Sequence, residues 1–270
     1  MSIFSKNEVQ FARIFFLRCF MKKTIVCQSM IGSGSLTWDV KNTIEINNNN
    51  SKIIERCVES VREWCANMNF EYQFATHDLG WNFKFKSKND KQLNRCLQNW
   101  HYLPKAGFDR VIYLDNDVFI LNKKVDPPYC KFGMVERLGD QVSFAKYYYG
   151  NTAKWWNAGV IIMDQKTCSD LSKWMLEKIA LKSRSYLFKD LPREESLLTE
   201  YCAFNQPMKL DPRWNTMPPQ SPKPVYRTAK FLHLLGPDKL KILRMCPEYI
   251  QNKVFPEITN LGKEVMRKRA

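Results

Sequence analysis

Arg110-Val111-Ile112-Tyr113-Leu114-Asp115-Asn116-Asp117 is the stretch on which the fold turns. Its apolar run does not alternate with polar residues, so it reads as a strand buried on both faces rather than one with a wet side. It runs straight into two carboxylates one residue apart. Working back, Thr24-Ile25-Val26-Cys27 reads as a first strand and residues 51–66 as a helix. Ile54, Cys57, Val58, Val61, Trp64 and Cys65 mark that helix with a 3-to-4 spacing. Phe70-Glu71-Tyr72-Gln73-Phe74 alternates like a strand, and a second helix is expected over 89–103, ended by Pro104 and Gly107. The order β-α-β-α-β argues for parallel strands with helices on both faces. Ligands of such sheets bind beyond the carboxyl ends of the strands, which is where Asp115 and Asp117 fall.

Downstream, residues 155–164 read as another strand and 167–181 and 193–202 as helices. After Pro207 the chain is Pro-rich and irregular until a basic helical region. Asn47 to Asn50 reads as a polar loop. Gly32-Ser33-Gly34-Ser35 lacks the Lys of a phosphate-cradling P-loop. Residues 1–20 read as an extension or peripheral helix, 21–245 as the folded domain and 246–270 as a basic tail.

Composition narrows the function classes. The chain of 270 residues is long enough to bury a full α/β core, and its 44% hydrophobic content is that of a globular protein. The net charge of +15 fits an anionic membrane, nucleic acid or a phosphate-bearing substrate. From Gln220 onward there are 11 Lys or Arg against 4 Asp or Glu, ending in Met266-Arg267-Lys268-Arg269-Ala270. That tail is either a solvated terminal helix or a dock for an acidic surface. The 9 Cys include no C-x-x-C pair and the His number 3, which argues against a zinc finger and a disulfide framework. Reduced thiols point to a cytoplasmic protein, with peripheral membrane association left open by its charge. Ile14-Phe15-Phe16-Leu17 is too short to span a bilayer.

Two carboxylates turned toward one point repel each other and lose hydration; a divalent cation relieves both costs. Mg²⁺ and Mn²⁺ take oxygen ligands and leave positions for substrate phosphates. The bland alternative is a structural turn. Near the C-terminus His233-Leu234-Leu235-Gly236-Pro237-Asp238-Lys239 offers a third ligand in His233, close backbone approach at Gly236 and a phosphate-neutralising cation in Lys239. A lone His after two apolar residues is also compatible with a core position.

Taken together these segments resemble the retaining glycosyltransferases related to glycogenin and the bacterial lipopolysaccharide galactosyltransferases. The resemblance runs from Thr24 to Lys239, with motifs in the family's order. They are Val111 to Asp117, Trp156-Asn157-Ala158-Gly159-Val160-Ile161, Glu194-Glu195-Ser196-Leu197-Leu198, Arg213-Trp214-Asn215, and His233 with Gly236 and Lys239. It implies a GT-A-like α/β fold, a Rossmann-like mixed sheet flanked by helices. It further implies transfer of a sugar from a nucleotide diphosphate, a UDP-sugar, to an acceptor hydroxyl on a glycan, glycolipid or protein, with retention of anomeric configuration.

By the same resemblance Asp115, Asp117 and His233 hold Mn²⁺ (or Mg²⁺), and Gly236 and Lys239 bind the phosphates. Asn157 and Gly159 line the sugar side, Glu194 and Glu195 face the donor sugar, Gln28 and Ser29 contact the base, and Asn116 belongs to the donor site. The family's Asp-Gln pair is here Glu194-Glu195. Glu195 is then a nucleophile, an oxocarbenium-stabilising carboxylate, or an acidic residue favoured by the helix dipole. The family's basic residue before D-x-D aligns with Cys96, which leaves neighbouring Arg95 as the donor contact, and Leu240 replaces an aromatic. Trp155 and Trp156 read as core residues rather than acceptor platforms. Tyr147 to Tyr149 read either as an acceptor-covering loop or as a solvent-facing one.

Two rivals remain at this stage. A sugar-nucleotide pyrophosphorylase would carry a basic Gly-rich signature after strand one, which is missing. A basic nucleic-acid-binding protein lacks any recognised motif here, so nucleic acid is not an expected partner.

Overall fold

The computed structural model describes residues 22–31, 44–82, 94, 97–137, 154–182, 193–218, 220–221, 223–236 and 238–257, with the side chains of 44–48, 193–196 and 223 left aside. The segments 1–20, 147–149 and 258–270, and Arg95 and Cys96, lie outside these residues.

A mixed sheet of six strands forms the centre, in the order β2-β1-β3-β6-β5-β7. Strand β1 (Thr24–Ser29) lies between β2 (Glu71–Ala75) and β3 (Arg110–Leu114) and is parallel to both. This is the arrangement that the β-α-β-α-β reading expects. The fourth position is taken by β6 (Trp156–Met163), which runs antiparallel to β3 with Val111 opposite Met163 and Leu114 opposite Val160. β5 (Phe132–Glu136) is antiparallel to β6, and β7 (Met208–Lys209) closes the edge.

The central strands are apolar on both faces, and their alternate residues feed two separate layers. Ile25, Cys27, Val111, Tyr113, Ile161 and Met163 pack under α2 (Gln165–Lys182) and α3 (Arg193–Phe204), through Leu171, Met175, Ile179, Leu197 and Leu198. Val26, Ile112, Leu114, Val160 and Ile162 face the other way, toward Val61, Trp64 and Cys65 of α1 (Ile44–Met68). A buried Val or Leu contributes about 1.5–3 kcal/mol relative to exposure, so a sheet covered on both sides needs no polar pattern to specify it.

The first turns of α1 correct the expected loop at Asn47 to Asn50: these residues are helical, and Asn50 is buried with its side-chain oxygen accepting from the Lys239 amide at 2.8 Å. A tertiary contact has overridden the weak helix propensity of asparagine.

Beside the main sheet stands a two-stranded ladder, β4 (Val118–Ile120) against β8 (Phe231–His233), antiparallel, with Val118 opposite His233. It packs on α1 and on the short helices α4 (Lys223–Tyr226), α5 (Lys239–Leu243) and α6 (Glu248–Val254). Cys246, Ile250, Val254 and Phe255 are buried in that cluster. Among the described residues, no helix is long and apolar enough to cross a membrane.

At the opposite end of β3, Arg110 is buried. Its guanidinium pairs with Asp126 at 2.6 Å, donates to Thr24 Oγ1 at 3.1 Å and to the Pro127 carbonyl, and lies over the Tyr129 ring at 3.8 Å.

Candidate metal centre

Strand β3 ends at Leu114, and the chain turns at once: the Val118 amide donates to the Asp115 carbonyl at 3.2 Å. That turn carries Asp115, Asn116 and Asp117. It is tied to β6, because the Asp115 amide donates to the Gly159 carbonyl at 3.0 Å. It is tied to β1 as well, where Gln28 Nε2 donates to the Asp115 carbonyl at 3.0 Å and Gln28 Oε1 accepts from the Tyr72 hydroxyl at 2.9 Å. Both ends of the Gln28 amide are thus engaged within the protein, and Gln28 acts as a brace under the acidic turn.

His233 comes in from β8. Its amide donates to the Thr216 carbonyl at 2.9 Å, and the next amide, of Leu234, donates to the Asp117 carbonyl at 3.0 Å. The result is a group of three side chains, Asp115, Asp117 and His233, whose ligand atoms all lie within 4.8 Å of one another. His233 Nε2 stands 3.2 Å from Asp117 Oδ1 and 3.6 Å from Asp115 Oδ2. Both Asp117 Oδ1 and His233 Nε2 are buried and make no well-formed hydrogen bond; they pair with each other only when the ring is protonated. With the ring neutral and Nε2 bare, these two buried acceptors face each other at a cost that a cation, a proton or a metal ion, removes. Two carboxylates and one imidazole are also a donor set that divalent ions accept.

The other Asp117 oxygen is spoken for. Lys239, at the start of α5, donates its ammonium to Asp117 Oδ2 and to the Leu234 carbonyl at 2.9 Å. Burial alone raises the Asp117 pKa, but Lys239 and His233 overturn that effect and hold the carboxyl well below the ordinary carboxylate range. For His233, burial lowers the imidazole pKa while Asp117 and Asp115 raise it, and the carboxylates prevail. The position in front of Nε2 therefore attracts positive charge, whether a proton or a metal ion.

Beneath the imidazole lies β6. A Cβ placed on Gly159 would fall well inside 3.0 Å of His233 Cε1 and Nδ1, so only glycine leaves room for this ring. Asn157 is fully buried, and its Oδ1 accepts from the Gly159 amide at 2.9 Å and from Asn215 Nδ2 at 2.6 Å. Both residues were expected to line the sugar side of the site; the structure places them against His233.

Asn215 follows the 3₁₀ turn Pro212–Trp214, which Asp211 caps by accepting from the Arg213 amide at 2.9 Å. Arg213 pairs with Asp211 at 2.8 Å, and Trp214 packs edge-on against Phe231 at 5.4 Å. The Arg213-Trp214-Asn215 segment thus caps, anchors and delivers one amide to the centre.

A second chain of hydrogen bonds reaches Asp115. Ser29 donates to Asn99 Oδ1, Asn99 Nδ2 donates to the Tyr113 hydroxyl at 2.9 Å, and that hydroxyl donates to Asp115 Oδ1 at 2.9 Å. Ser29, Asn99 and Tyr113, with Cys27, Gln73, Tyr102 and Leu103, line a small pocket at the carboxyl ends of β1, β2 and β3. Tyr113 and Asn215 carried no assigned role in the sequence reading, though each stands inside a quoted motif.

Among the other expected residues, Asn116 is partly exposed between the two aspartates. Gly236 has φ of 130°, a conformation open to glycine, and it turns the chain between His233 and Lys239. Glu194 and Glu195 fall in the first turn of α3, with side chains outside the description, and Arg95 is not among the described residues. Trp155 and Trp156 are buried, as expected of core residues.

No family model matches the sequence, and neither does any curated protein. Solved structures do align with it. A glycosyltransferase involved in glycosylation of the major capsid of PBCV-1 is 14% identical, with a TM-score of 0.51 and coverage of 86% of this chain and 98% of that one. The galactosyltransferase LgtC, in complex with donor and acceptor sugar analogues, is 13% identical, with a TM-score of 0.46 over 85% of this chain and 99% of that one. The apo-form glycosyltransferase GlyE of Streptococcus pneumoniae is 12% identical, with a TM-score of 0.43 over 87% of this chain and 64% of that one. The first likeness shows the fold: this chain has the GT-A-type architecture of a glycosyltransferase, as its resemblance implies. Within that architecture it carries a group, Asp115, Asp117 and His233, that could hold a metal ion.

Proposed function

We propose that this protein is a metal-dependent glycosyltransferase that transfers a sugar from a UDP-sugar to an acceptor hydroxyl on a glycan, glycolipid or protein, with retention of configuration. One observation carries the reading: at the carboxyl end of β3, Asp117 Oδ1 and His233 Nε2 are buried face to face, 3.2 Å apart, with no well-formed hydrogen bond to anything else. The fold supplies the class, and the resemblance supplies retention and the nucleotide.

Asp115, Asp117 and His233 would hold Mn²⁺ or Mg²⁺, which when bound neutralises the leaving diphosphate as a Lewis acid. Lys239 holds Asp117 Oδ2, which leaves Oδ1 as the ligand atom and favours the ionised carboxyl. Gln28 and the Asp115–Gly159 hydrogen bond keep the turn rigid. The end of β1, at Gln28 and Ser29, is assigned to the nucleotide base, and Glu194 and Glu195 to the donor sugar.

The test is UDP release from a panel of UDP- and GDP-sugars, with and without Mn²⁺, in wild type and Asp117→Ala. Mn²⁺-dependent release from one donor, lost in the variant, is the expected result. If there is neither release nor Mn²⁺-dependent thermal stabilisation by UDP, the reading is overturned.

A further inference from the structure

Behind the three ligands lies the far side of the His233 ring. Nδ1 lies 3.1 Å from Asn157 Oδ1 and 3.2 Å from Asn215 Oδ1. Which atom of each amide faces the ring can be worked out from the backbone outward. The Gly159 amide is a donor by constitution, so the Asn157 atom it meets at 2.9 Å is the oxygen. That oxygen also receives Asn215 at 2.6 Å, so the Asn215 atom there is the nitrogen. The remaining Asn215 atom, its oxygen, is then the one turned to Nδ1.

Two amide oxygens therefore converge on Nδ1, and only an N–H there satisfies both, while across the ring the Asp117 and Asp115 carboxylates, 3.2 and 3.6 Å from Nε2, hold the second proton of the imidazolium until a metal ion replaces it. With the proton on Nδ1, the neutral ring has its lone pair on Nε2, on the side of Asp115 and Asp117. We propose that Asn157 and Asn215 are positioning residues that together lock His233 in the Nδ1–H tautomer and present Nε2 as a metal-binding lone pair. This rests on the proposed metal site and adds a role for Asn215, a residue that touches neither ligand carboxylate. A metal-bound imidazole commonly donates its other N–H to a fixed acceptor, and removal of such a partner costs roughly ten- to a hundred-fold in metal affinity.

The supporting geometry is specific to this pair. Both asparagines are fully buried, they come from different elements, and they bond each other as well as the ring. Asn215 is held by its own amide, which donates to the Pro212 carbonyl at 3.1 Å. Neither side chain has the freedom of a surface amide to exchange its O and N.

The first measurement is long-range ¹H–¹⁵N correlation of the imidazoles in metal-free protein, at a pH where they are neutral. With 3 His in the chain, His233→Gln assigns its signal. The expected pattern is a protonated Nδ1 and a bare Nε2; a protonated Nε2 in the neutral ring overturns the proposal. The second is Mn²⁺ affinity, by competition with a chelating dye, of Asn215→Ala, Asn157→Ala and Asn157→Asp. The alanine variants should bind roughly ten- to a hundred-fold more weakly. Asn157→Asp keeps an oxygen for all three donors and should retain both the tautomer and the binding.

Alanine variants that fold and bind Mn²⁺ as wild type refute the positioning role. If they do not fold, the tautomer of Asn157→Asp decides: Nδ1–H supports the lock and Nε2–H overturns it. Absence of Mn²⁺ binding in wild type defeats the proposed function alone, since the imidazole spectrum is read without metal.

Discussion

Gly159→Ala is the substitution that interrogates the centre most directly. The new methyl would lie well inside 3.0 Å of His233 Cε1 and Nδ1 and 2.9 Å from Asn157 Oδ1. Ordinary carbon contacts are about 3.5–4.0 Å, so the ring must retreat by roughly an ångström or more. The backbone of His233 cannot carry that shift, since it is fixed by the Thr216 carbonyl and by pairing with β4. Nor can β6 swing away, because it is hydrogen-bonded to β3 and β5 on either side. The imidazole must rotate off its rotamer and lose Asn157, Asn215 and its aim at Asp117. Overpacking of this kind costs about 1–3 kcal/mol, a fall in Tm of about 2–10 °C for a domain of this size. Mn²⁺ affinity should fall by about tenfold or more, as when a ligand's support is removed. The control is Gly133→Ala on β5, where the added methyl would meet Cys130 Sγ at 2.7 Å and Leu210 Cδ2 at 3.0 Å, away from the centre. It should lose stability and keep Mn²⁺ affinity. Thermal unfolding and dye-competition titration on both variants give the answer. Gly159→Ala protein that is folded and binds Mn²⁺ as tightly as wild type would refute the reasoning.

Other consequences can be measured on the same protein. Tyr113→Phe removes the hydroxyl that donates to Asp115 Oδ1 and accepts from Asn99; a loss of about 1 kcal/mol in stability and a several-fold weaker Mn²⁺ affinity are expected, by urea unfolding and titration. A raised His233 pKa stabilises the metal-free fold fully below the ordinary imidazole value of 6.5 and less as pH rises through the folded value, so metal-free Tm should decline over that window. Mn²⁺ affinity should climb over the same window, because a proton leaves Nε2 as the ion binds, and a flat profile would exclude His233 as a ligand. Burial raises the thiols of Cys65, Cys168 and Cys246 to about 12 and Cys130 to about 11, with Cys27, Cys57 and Cys202 higher still. Iodoacetamide at pH 8 should label these seven slowly in the native protein, Cys130 the fastest of them, and all rapidly after unfolding, by peptide mass spectrometry.

The sheet was readable where burial wrote it into composition. β1, β3 and β6 are apolar on both faces, and their continuous runs show in the sequence as plainly as in the structure. β4, β5 and β8 escaped notice for physical reasons. Three residues, as in Val118–Ile120 and Phe231–His233, carry no periodicity, and β5 is interrupted by Gly133 and by a register shift between Met134 and Glu136. The three grouped side chains were legible through their spacing and order. What supports them was not. That Gly159 makes room for an imidazole 74 positions away depends on β6 and β8 meeting, and nothing local to Trp156–Met163 encodes this.

The direction of β6 explains why the centre can exist where it does. Were β6 parallel to β3, its far end, Ile162 and Met163, would lie beside the acidic turn, and two branched or bulky apolar side chains would face Asp115. Because it runs antiparallel, Leu114 is opposite Val160 and the Asp115 amide meets the Gly159 carbonyl. The start of β6, Asn157-Ala158-Gly159, is thereby laid at the carboxyl end of the parallel strands, where ligands of such sheets bind. One small residue and one amide then do what neither Asp nor His can do alone: Gly159 admits the ring, and Asn157, joined by Asn215, gives its Nδ1 a partner. The antiparallel entry of β6 is thus the topological condition for a histidine from a separate two-stranded ladder to stand over β3's carboxylates. A change that preserves D-x-D and His233 but disturbs Gly159 or the asparagine pair should leave all three proposed ligands in the chain and the centre unable to hold its ion.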